Sequence, residues 1–210
     1  MRENRKEKQK LRAAQKQENF AQQREKHEAD GYAAEELTIS VFKANVQALL
    51  LSAPFWALGI WLFFRHGNSS ITLHVQNALL FFLLYLVSIP VHELLHGLFW
   101  SVSCERGFSS IQFGVMEGLT PYCHCMEPLT KRRYLLGAIA PLLLLGILPS
   151  AIAIWAGRPF LLLFGLFSIT SAGGDMAILL LLLQSKARLF LDHPTKCGFL
   201  ALHAPTKSEH

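Results

Sequence analysis

Four long apolar segments constrain the fold of this chain more than any other feature. They cover Val46–Phe64, Asn77–Val102, Tyr134–Ala156 and Pro159–Leu183. Each has about 19 residues or more, the length an α-helix needs to cross the hydrocarbon core of a bilayer. The first segment lies too far into the chain, and is too long, to be a cleaved signal peptide. The sequence therefore predicts an all-α polytopic membrane protein with about four transmembrane helices.

Basic residues are divided unevenly between the two sides of these segments. Of the 20 Lys and Arg residues, ten precede the first segment, four lie between the second and third, and four follow the fourth. Only Arg65 and Arg158 flank the opposite side. The positive-inside rule then predicts an integral membrane protein with both termini in the cytoplasm, and the compact plan suits a bacterial plasma membrane. The net charge of +5 is a topology signal and a contact for anionic lipid, so no nucleic-acid partner is expected.

The same segments divide the chain into three parts. Residues 1–37 form a charged cytoplasmic N-terminal tail, residues 38–185 a transmembrane domain, and residues 186–210 a cytoplasmic C-terminal tail. Between the second and third segments, apolar residues alternate along Ser110–Met116, and Glu117-Gly118 offers a turn before Leu119–Met126. This pattern is compatible with a small β-hairpin in the cytoplasmic loop and equally with a plain connecting loop.

Only four acidic or histidine residues lie inside the apolar segments. Three of them belong to an HExxH motif, His92-Glu93-Leu94-Leu95-His96, and the fourth is Asp175. On a helix, the two histidines of such a motif lie one turn apart on the same face, which is the spacing needed to bind one metal ion, and the glutamate is placed to act as a base. Ionisable side chains are costly in a membrane, so the motif predicts a metal site. The alternative is a polar cluster that only holds helices together.

A catalytic zinc usually has three protein ligands, so one ligand remains to be found. Asp175 lies about eight residues before the cytoplasmic end of its segment and His96 about six, which places both roughly 9–12 Å below the boundary. Gly173 and Gly174 precede Asp175 and favour close helix packing. Asp175 is therefore the predicted third ligand. Its competitors are three residues of the cytoplasmic loop, namely Glu117, His124 and Glu127.

The four cysteines do not predict a disulfide framework, because this topology places all of them in the reducing cytoplasm. Cys123-His124-Cys125 could form a zinc site of its own. In a strand, however, the two cysteines share one face and the histidine points away. Ordinary strand residues are the favoured interpretation, and the roles of the three side chains stay open.

Several motifs together resemble a known protein family. Residues 91–97, Val-His-Glu-Leu-Leu-His-Gly, the later Gly174-Asp175, and the intervening Pro-Tyr-Cys, Glu-Pro-Leu and Ala-Pro-Leu are similar to those of the membrane zincin peptidases. These small proteins are related in plan to intramembrane metalloproteases of the site-2 protease type. The resemblance covers roughly residues 38–183. It implies a Zn²⁺ cofactor bound by His92, His96 and Asp175, with Glu93 as the catalytic base.

The expected function is therefore that of a zinc metalloendopeptidase embedded in the membrane. Glu93 would activate a zinc-bound water for hydrolysis of a peptide bond in or near the bilayer, so the expected partners are a membrane protein or peptide substrate and the lipid bilayer itself. The alternative is a catalytically silent metal-binding scaffold or a metal-handling protein. Metal transport predicts further charged residues along the spans, and the apolar segments contain no acidic, basic or histidine residue beyond the single cluster. The substrate and the oligomeric state are not determined by these patterns.

Overall fold

The computed structural model describes residues 2–66, 75–115 and 121–205. The helices are α1 (Arg2–Ala29), α2 (Val41–Arg65), α3 (Val75–Ser101), α4 (Lys131–Pro141), α5 (Leu148–Ala156), α6 (Pro159–Ser171) and α7 (Gly173–Gln184). The strands are β1 (Ala33–Ile39), β2 (Ile111–Val115), β3 (Pro121–Cys125), β4 (Leu129–Thr130), β5 (Leu189–Asp192) and β6 (Cys197–His203). The fold is mostly helical, with two small sheets in addition.

Three helical stretches within the described residues are long and apolar enough to cross a membrane. They are α2, α3 and the stretch Lys131–Ala156, in which a π-helical segment joins α4 to α5. The last predicted segment is broken, because α6 and α7 meet at an angle of 48°. It counts as a fourth candidate span only if these two helices are taken as one. The structure thus supports a membrane protein with three candidate spans and a bent helix pair.

Gly173 starts α7 directly after the bend and lies against α2. A Cβ atom at this position would collide with the backbone and side chain of Ala48, so only glycine allows the two helices to approach so closely. A Cβ atom added at Gly174, the next residue, would have no neighbour within 4 Å. The predicted close packing is therefore found at one of the two glycines, and its partner is the first apolar helix.

A four-stranded antiparallel sheet corrects the all-α prediction. Its strand order is β1-β6-β5-β4, and β1 pairs with β6 along its whole length. The sheet joins segments that the sequence reading assigned to charged tails, and Phe190, Phe199 and Leu200 in it are fully buried. Tyr134 of α4 packs against both phenylalanine rings. The sequence did not predict β1, β5 and β6, because a strand of four to seven residues carries a much weaker periodic signal than a membrane-length helix.

The sheet also fixes which helix ends lie together. β1 leads directly into α2, β4 leads into α4, and β5 follows α7. Pairing of these strands therefore gathers the starts of α2 and α4 and the end of α7 at one end of the helical bundle. The N-terminal helix α1 lies at the same end, where the Phe20 ring contacts His193 at 5.1 Å between centroids.

β2 and β3 form a second, two-stranded antiparallel sheet between α3 and α4. Strand pairing was one of the two alternatives that the sequence left open for this loop. The predicted turn at Glu117-Gly118 lies outside the described residues, and the cytoplasmic location of the loop stays a prediction. The sheet packs onto α3 at Gly97, where a Cβ atom would be 3.0 Å from Ile111 and closer still to Phe113. This close contact holds β2 against α3, and β3 is kept near the HExxH motif by its pairing with β2.

Candidate metal centre

One face of α3 carries the two motif histidines. Ser88, His92, His96 and Trp100 follow one another at intervals of four residues, so they line the same side of the helix. His96 and Trp100 are buried, and their rings stack with centroids 5.2 Å apart. Nε2 of His92 and Nε2 of His96 are 3.2 Å apart. The helix therefore presents two imidazole nitrogens to one point inside the bundle.

Asp175, in the first turn of α7, meets these histidines although 83 residues separate it from His92. Its Oδ2 atom lies 3.0 Å from Nε2 of His92, and its Oδ1 atom lies 3.4 Å from Nε2 of His96. One ligand atom from each of the three residues lies within 4.8 Å of the other two. The fold thus brings the predicted third ligand to the two histidines of the motif, and its depth in a membrane stays a prediction.

The three side chains fit a zinc ion by chemistry and by spacing. Imidazole nitrogen and carboxylate oxygen are both zinc ligands, and in a tetrahedral site with bonds of about 2.1 Å the ligand atoms are about 3.4 Å apart. The two histidine nitrogens are 3.2 Å apart, and Asp175 approaches them through different oxygens, with Oδ2 3.0 Å from His92 and Oδ1 3.4 Å from His96. One ligand atom from each residue lies within 4.8 Å of the other two, so small adjustments would bring all three to one zinc ion. Three protein ligands also leave one tetrahedral position for water or substrate, as in catalytic zinc sites.

The second nitrogen of His96 is fixed by the backbone of α4. Nδ1 of His96 lies 2.8 Å from the carbonyl oxygen of Gly137, to which it donates a hydrogen bond. This bond places the ring proton on Nδ1 and leaves the lone pair of Nε2 for a metal. Gly137 is required for the contact, because a Cβ atom there would occupy the position of the Trp100 indole. Sequence patterns gave no signal for this acceptor, because it is a main-chain atom.

Glu93 lies between two cavities that flank the three ligands. The first, of about 180 Å³, is lined by Glu93, His96 and Asp175 and by residues of β3 and the β5–β6 turn. The second, of about 270 Å³, is lined by His92, Glu93 and Pro121 together with the serines of α3 and α6. The backbone N–H of Cys123 in β3 is directed towards the Glu93 carboxylate. Glu93 therefore borders both spaces in which a peptide and a water molecule could lie.

The rival third ligands are occupied elsewhere or lie outside the described residues. The carboxylate of Glu127 binds the backbone N–H groups of Glu105 and Arg106, the Arg106 side chain and the Ser110 hydroxyl. Burial alone would raise the pKa of Glu127, but these hydrogen bonds hold it below its usual range. Glu117 lies outside the described residues. His124 is directed towards Asp192 of β5.

Cys123 and Cys125 do not join a metal cluster among the described residues. Cys125 lies with its Sγ atom 3.4 Å from Sγ of Cys104, and both thiols are free. Burial raises the pKa of the Cys123 thiol far above its usual range, and the nearby Asp192 carboxylate raises it further. Because only a thiolate binds zinc well, this environment favours the interpretation of Cys123 as an ordinary strand residue.

Asp192 is the residue near the site that sequence reasoning missed altogether. Its carboxylate accepts a hydrogen bond from the Tyr134 hydroxyl at 3.0 Å and one from the backbone N–H of Cys125 at 3.3 Å. Nδ1 of His124 lies 3.2 Å from its Oδ2 atom. His124 and Asp192 both line the first cavity, together with Glu93. Only the pairing of distant segments brings them there.

The comparisons with known proteins agree with this geometry. Residues 85–190, about half of the 210-residue chain, match the family described as "Putative zincin peptidase". The match spans the HExxH motif, β2, β3 and Asp175, and it confirms the resemblance seen in the sequence. No curated protein and no solved structure matches the chain. Zinc is the metal of this peptidase family, and the chain belongs to it.

Proposed function

We propose that this protein is a zinc-dependent endopeptidase that cleaves a membrane protein or membrane-bound peptide within the bilayer or close to its surface. His92, His96 and Asp175 hold the zinc ion, and Glu93 is the catalytic base. The observation that carries the proposal is the meeting of the three ligand atoms within 4.8 Å beside the two cavities that Glu93 borders. When bound, zinc supplies Lewis-acid chemistry that makes water a stronger acid and polarises a carbonyl group.

Glu93 has the central part among the residues of the chain. Water adds to the carbonyl carbon of the scissile peptide bond, and Glu93 accepts the proton that this water loses. The C–N bond then breaks, and Glu93 returns the proton to the departing nitrogen so that a neutral amine leaves. Its position one residue after His92 keeps its carboxylate beside the ligands throughout. A purely structural metal site would not need a carboxylate there.

β3 offers a means of holding an extended substrate. It pairs only with β2 among the described strands, so its other edge has no strand partner. On that edge the Cys125 N–H donates to Asp192, and the Cys123 N–H is directed towards Glu93, so a substrate would bind chiefly through its own N–H groups to the carbonyl oxygens of β3. Pro121 of this strand lines both cavities. A peptide that runs along this edge would pass Glu93 in an extended form, in which its carbonyl groups are open to attack.

The candidate spans and the basic residues support a proposed orientation in the membrane. We infer four spans, with the bent α6–α7 pair as the fourth and both termini in the cytoplasm, because the basic residues lie on the side of the sheet. The second cavity carries polar groups into the apolar part of the bundle. Among its lining residues, Ser168 is buried, and its hydroxyl has no hydrogen-bond partner in the part of the chain that the structure describes. Such a group favours a cavity that admits water or a peptide backbone.

The first experiment measures the zinc content of the detergent-purified protein beside His92→Ala, Glu93→Gln and Asp175→Asn. We expect about one zinc ion per chain in the wild type, loss of zinc in His92→Ala, weaker binding in Asp175→Asn and full occupancy in Glu93→Gln. Zinc-loaded wild type and Glu93→Gln are then incubated with a set of membrane-spanning and juxtamembrane peptides, and the products are identified by mass spectrometry.

Each result has a distinct meaning for the proposed function. Cleavage by the wild type that falls by about 100-fold or more in Glu93→Gln supports an endopeptidase with Glu93 as its base. Wild-type protein that binds no zinc would overturn the proposal. Zinc binding without cleavage of any peptide would instead favour the silent metal-binding scaffold.

A further inference from the structure

A buried histidine in the first cavity has no part in the chemistry described so far. His124 of β3 is 3% exposed, and its Nδ1 atom lies 3.2 Å from Oδ2 of Asp192. Asp192 is in turn held by the Tyr134 hydroxyl and by the backbone N–H of Cys125. Each of the two carboxylate oxygens therefore accepts a hydrogen bond, and Oδ2 also lies next to the His124 ring. The result is a histidine with one nitrogen fixed by an anchored carboxylate.

The position of this histidine relates it to the proposed reaction. His124 lines the same cavity of about 180 Å³ as Glu93, His96 and Asp175. Among the described residues, no hydrogen bond or ion pair engages its other ring nitrogen, Nε2. It does not belong to the cluster that could hold the metal ion. A fixed ring with one uncommitted nitrogen in a cavity beside a catalytic base is suited to contact a substrate.

We propose that His124 is a further catalytic residue of the endopeptidase reaction, in which Nε2–H donates a hydrogen bond to the carbonyl oxygen of the scissile peptide bond. The inference rests on the proposed function. As water adds to the carbonyl carbon, the π-electron pair of the C=O bond moves to the oxygen, and negative charge develops there. The Nε2–H group of His124 stabilises this charge through the hydrogen bond and keeps its proton.

Asp192 is the positioning residue for this contact. Its Oδ2 atom lies 3.2 Å from Nδ1 of His124 and fixes the orientation of the ring. Tyr134 and the backbone of Cys125 keep the carboxylate in place, and Tyr134 itself is fully buried between α4 and the sheet. The sheet that joins β5 to the helices therefore has a direct consequence for the site, because it carries Asp192 to His124.

The test compares two inhibitors on zinc-loaded wild type and His124→Gln. The first probe is a phosphonamidate analogue of dileucine, whose tetrahedral phosphoryl oxygens imitate the oxygen that becomes charged. The second is a mercaptoacyl-dileucine, which binds zinc through a thiolate and has no oxygen at that position. We expect His124→Gln to keep about one zinc ion per chain and to bind the phosphonamidate about 100-fold more weakly, because loss of one oxyanion donor has an effect of this order. Its affinity for the thiol should not change.

Two further variants keep the test decisive. Asp192→Asn retains the shape of the side chain and should weaken phosphonamidate binding by about 10-fold, with the thiol again unaffected. His203→Gln is the matched control, since His203 is also paired with a carboxylate on the sheet, 3.0 Å from Glu35, but does not line this cavity. It should behave as the wild type does with both probes.

The possible failures are distinguishable. Loss of zinc in His124→Gln would show that the residue serves the metal site, and equal weakening of both probes would show a structural role; either result overturns the proposal. So does equal phosphonamidate affinity in zinc-loaded wild type and His124→Gln, and this result leaves the proposed function intact. Wild-type protein without zinc would overturn the proposed function and this inference together.

Discussion

At the scale of single residues, the candidate metal centre combines side chains that a sequence motif predicts with a main-chain group that no sequence pattern predicts. His92 and His96 follow from helical spacing alone. The acceptor of the His96 ring proton is the carbonyl oxygen of Gly137, and Trp100 covers the same ring. Partners of this kind orient a metal ligand and are commonly worth 10- to 100-fold in metal affinity.

Gly137→Ala tests this second layer of contacts. The added methyl group would occupy the position of the Trp100 indole, and Trp100 stacks on His96. We expect zinc affinity to fall by about 10- to 100-fold, measured by competition with a chelator of known affinity. Leu136→Ala, at the exposed neighbouring position, is the control and should bind zinc as the wild type does. Unchanged affinity in Gly137→Ala would contradict the role assigned to this backbone contact.

At the scale of elements, the break between α6 and α7 places Asp175. The two helices bend by 48° at Ala172, and α7 then begins with two glycines and the aspartate. Gly173 is pressed against Ala48 of α2, whereas Gly174 is free of close neighbours. The start of α7 is thus fixed by packing on α2, and Asp175 follows within its first turn.

Adjacent glycines should therefore respond in opposite ways to the same substitution. In Gly173→Ala the new methyl group would push α7 away from α2 and displace Asp175, so we expect a lower Tm and weaker zinc binding. Overpacking of this kind commonly costs about 1–3 kcal/mol. Gly174→Ala should keep both properties, or gain up to about 1 kcal/mol from helix propensity. Thermal unfolding with and without zinc measures the pair, and similar Tm values for the two variants would contradict the packing argument.

The strands near the C-terminal end of the chain contribute core, which makes them essential to stability. Phe199 of β6 is fully buried, and its ring contacts Tyr134 and Phe190. Phe199→Ala should lower the free energy of unfolding by about 3–5 kcal/mol. Phe42, which is 79% exposed, provides the control, and Phe42→Ala should have little effect. Chemical denaturation in detergent compares the two, and equal stability would mean that this sheet is peripheral.

At the scale of the whole molecule, the strand pairing and the distribution of basic residues support the proposed orientation of the protein in the membrane. The sheet gathers the starts of α2 and α4 and the end of α7, and 17 of the 19 Lys and Arg residues in the described part of the chain belong to segments on that side. The loop between α5 and α6, with Gly157 in the left-handed conformation and Arg158 after it, lies at the opposite end of the bundle.

Alkaline phosphatase fusions test this orientation, because the enzyme needs disulfides that form outside the cytoplasm. A fusion after Arg158 should be active, and a fusion at the C-terminus should be inactive although it is produced in equal amount. The reverse pattern would place the four-stranded sheet on the side of the membrane away from the cytoplasm. Activity of both fusions would contradict a bent α6–α7 pair that crosses the membrane.

The amino-acid sequence alone determined the features that depend on neighbouring residues. Segment length and apolar composition predicted membrane helices, and spacing by four residues paired His92 with His96. Estimated depth in the predicted spans gave Asp175 as the predicted third ligand, because the positions in both segments were counted from the same boundary.

The tertiary structure decided what depends on residues far apart in the chain. Only the fold brings Gly137 to His96 and Asp192 to His124, 41 and 68 residues away in sequence. It also placed parts of the two predicted tails in a sheet, because short strands gain their stability from pairing with one another and not from any local pattern.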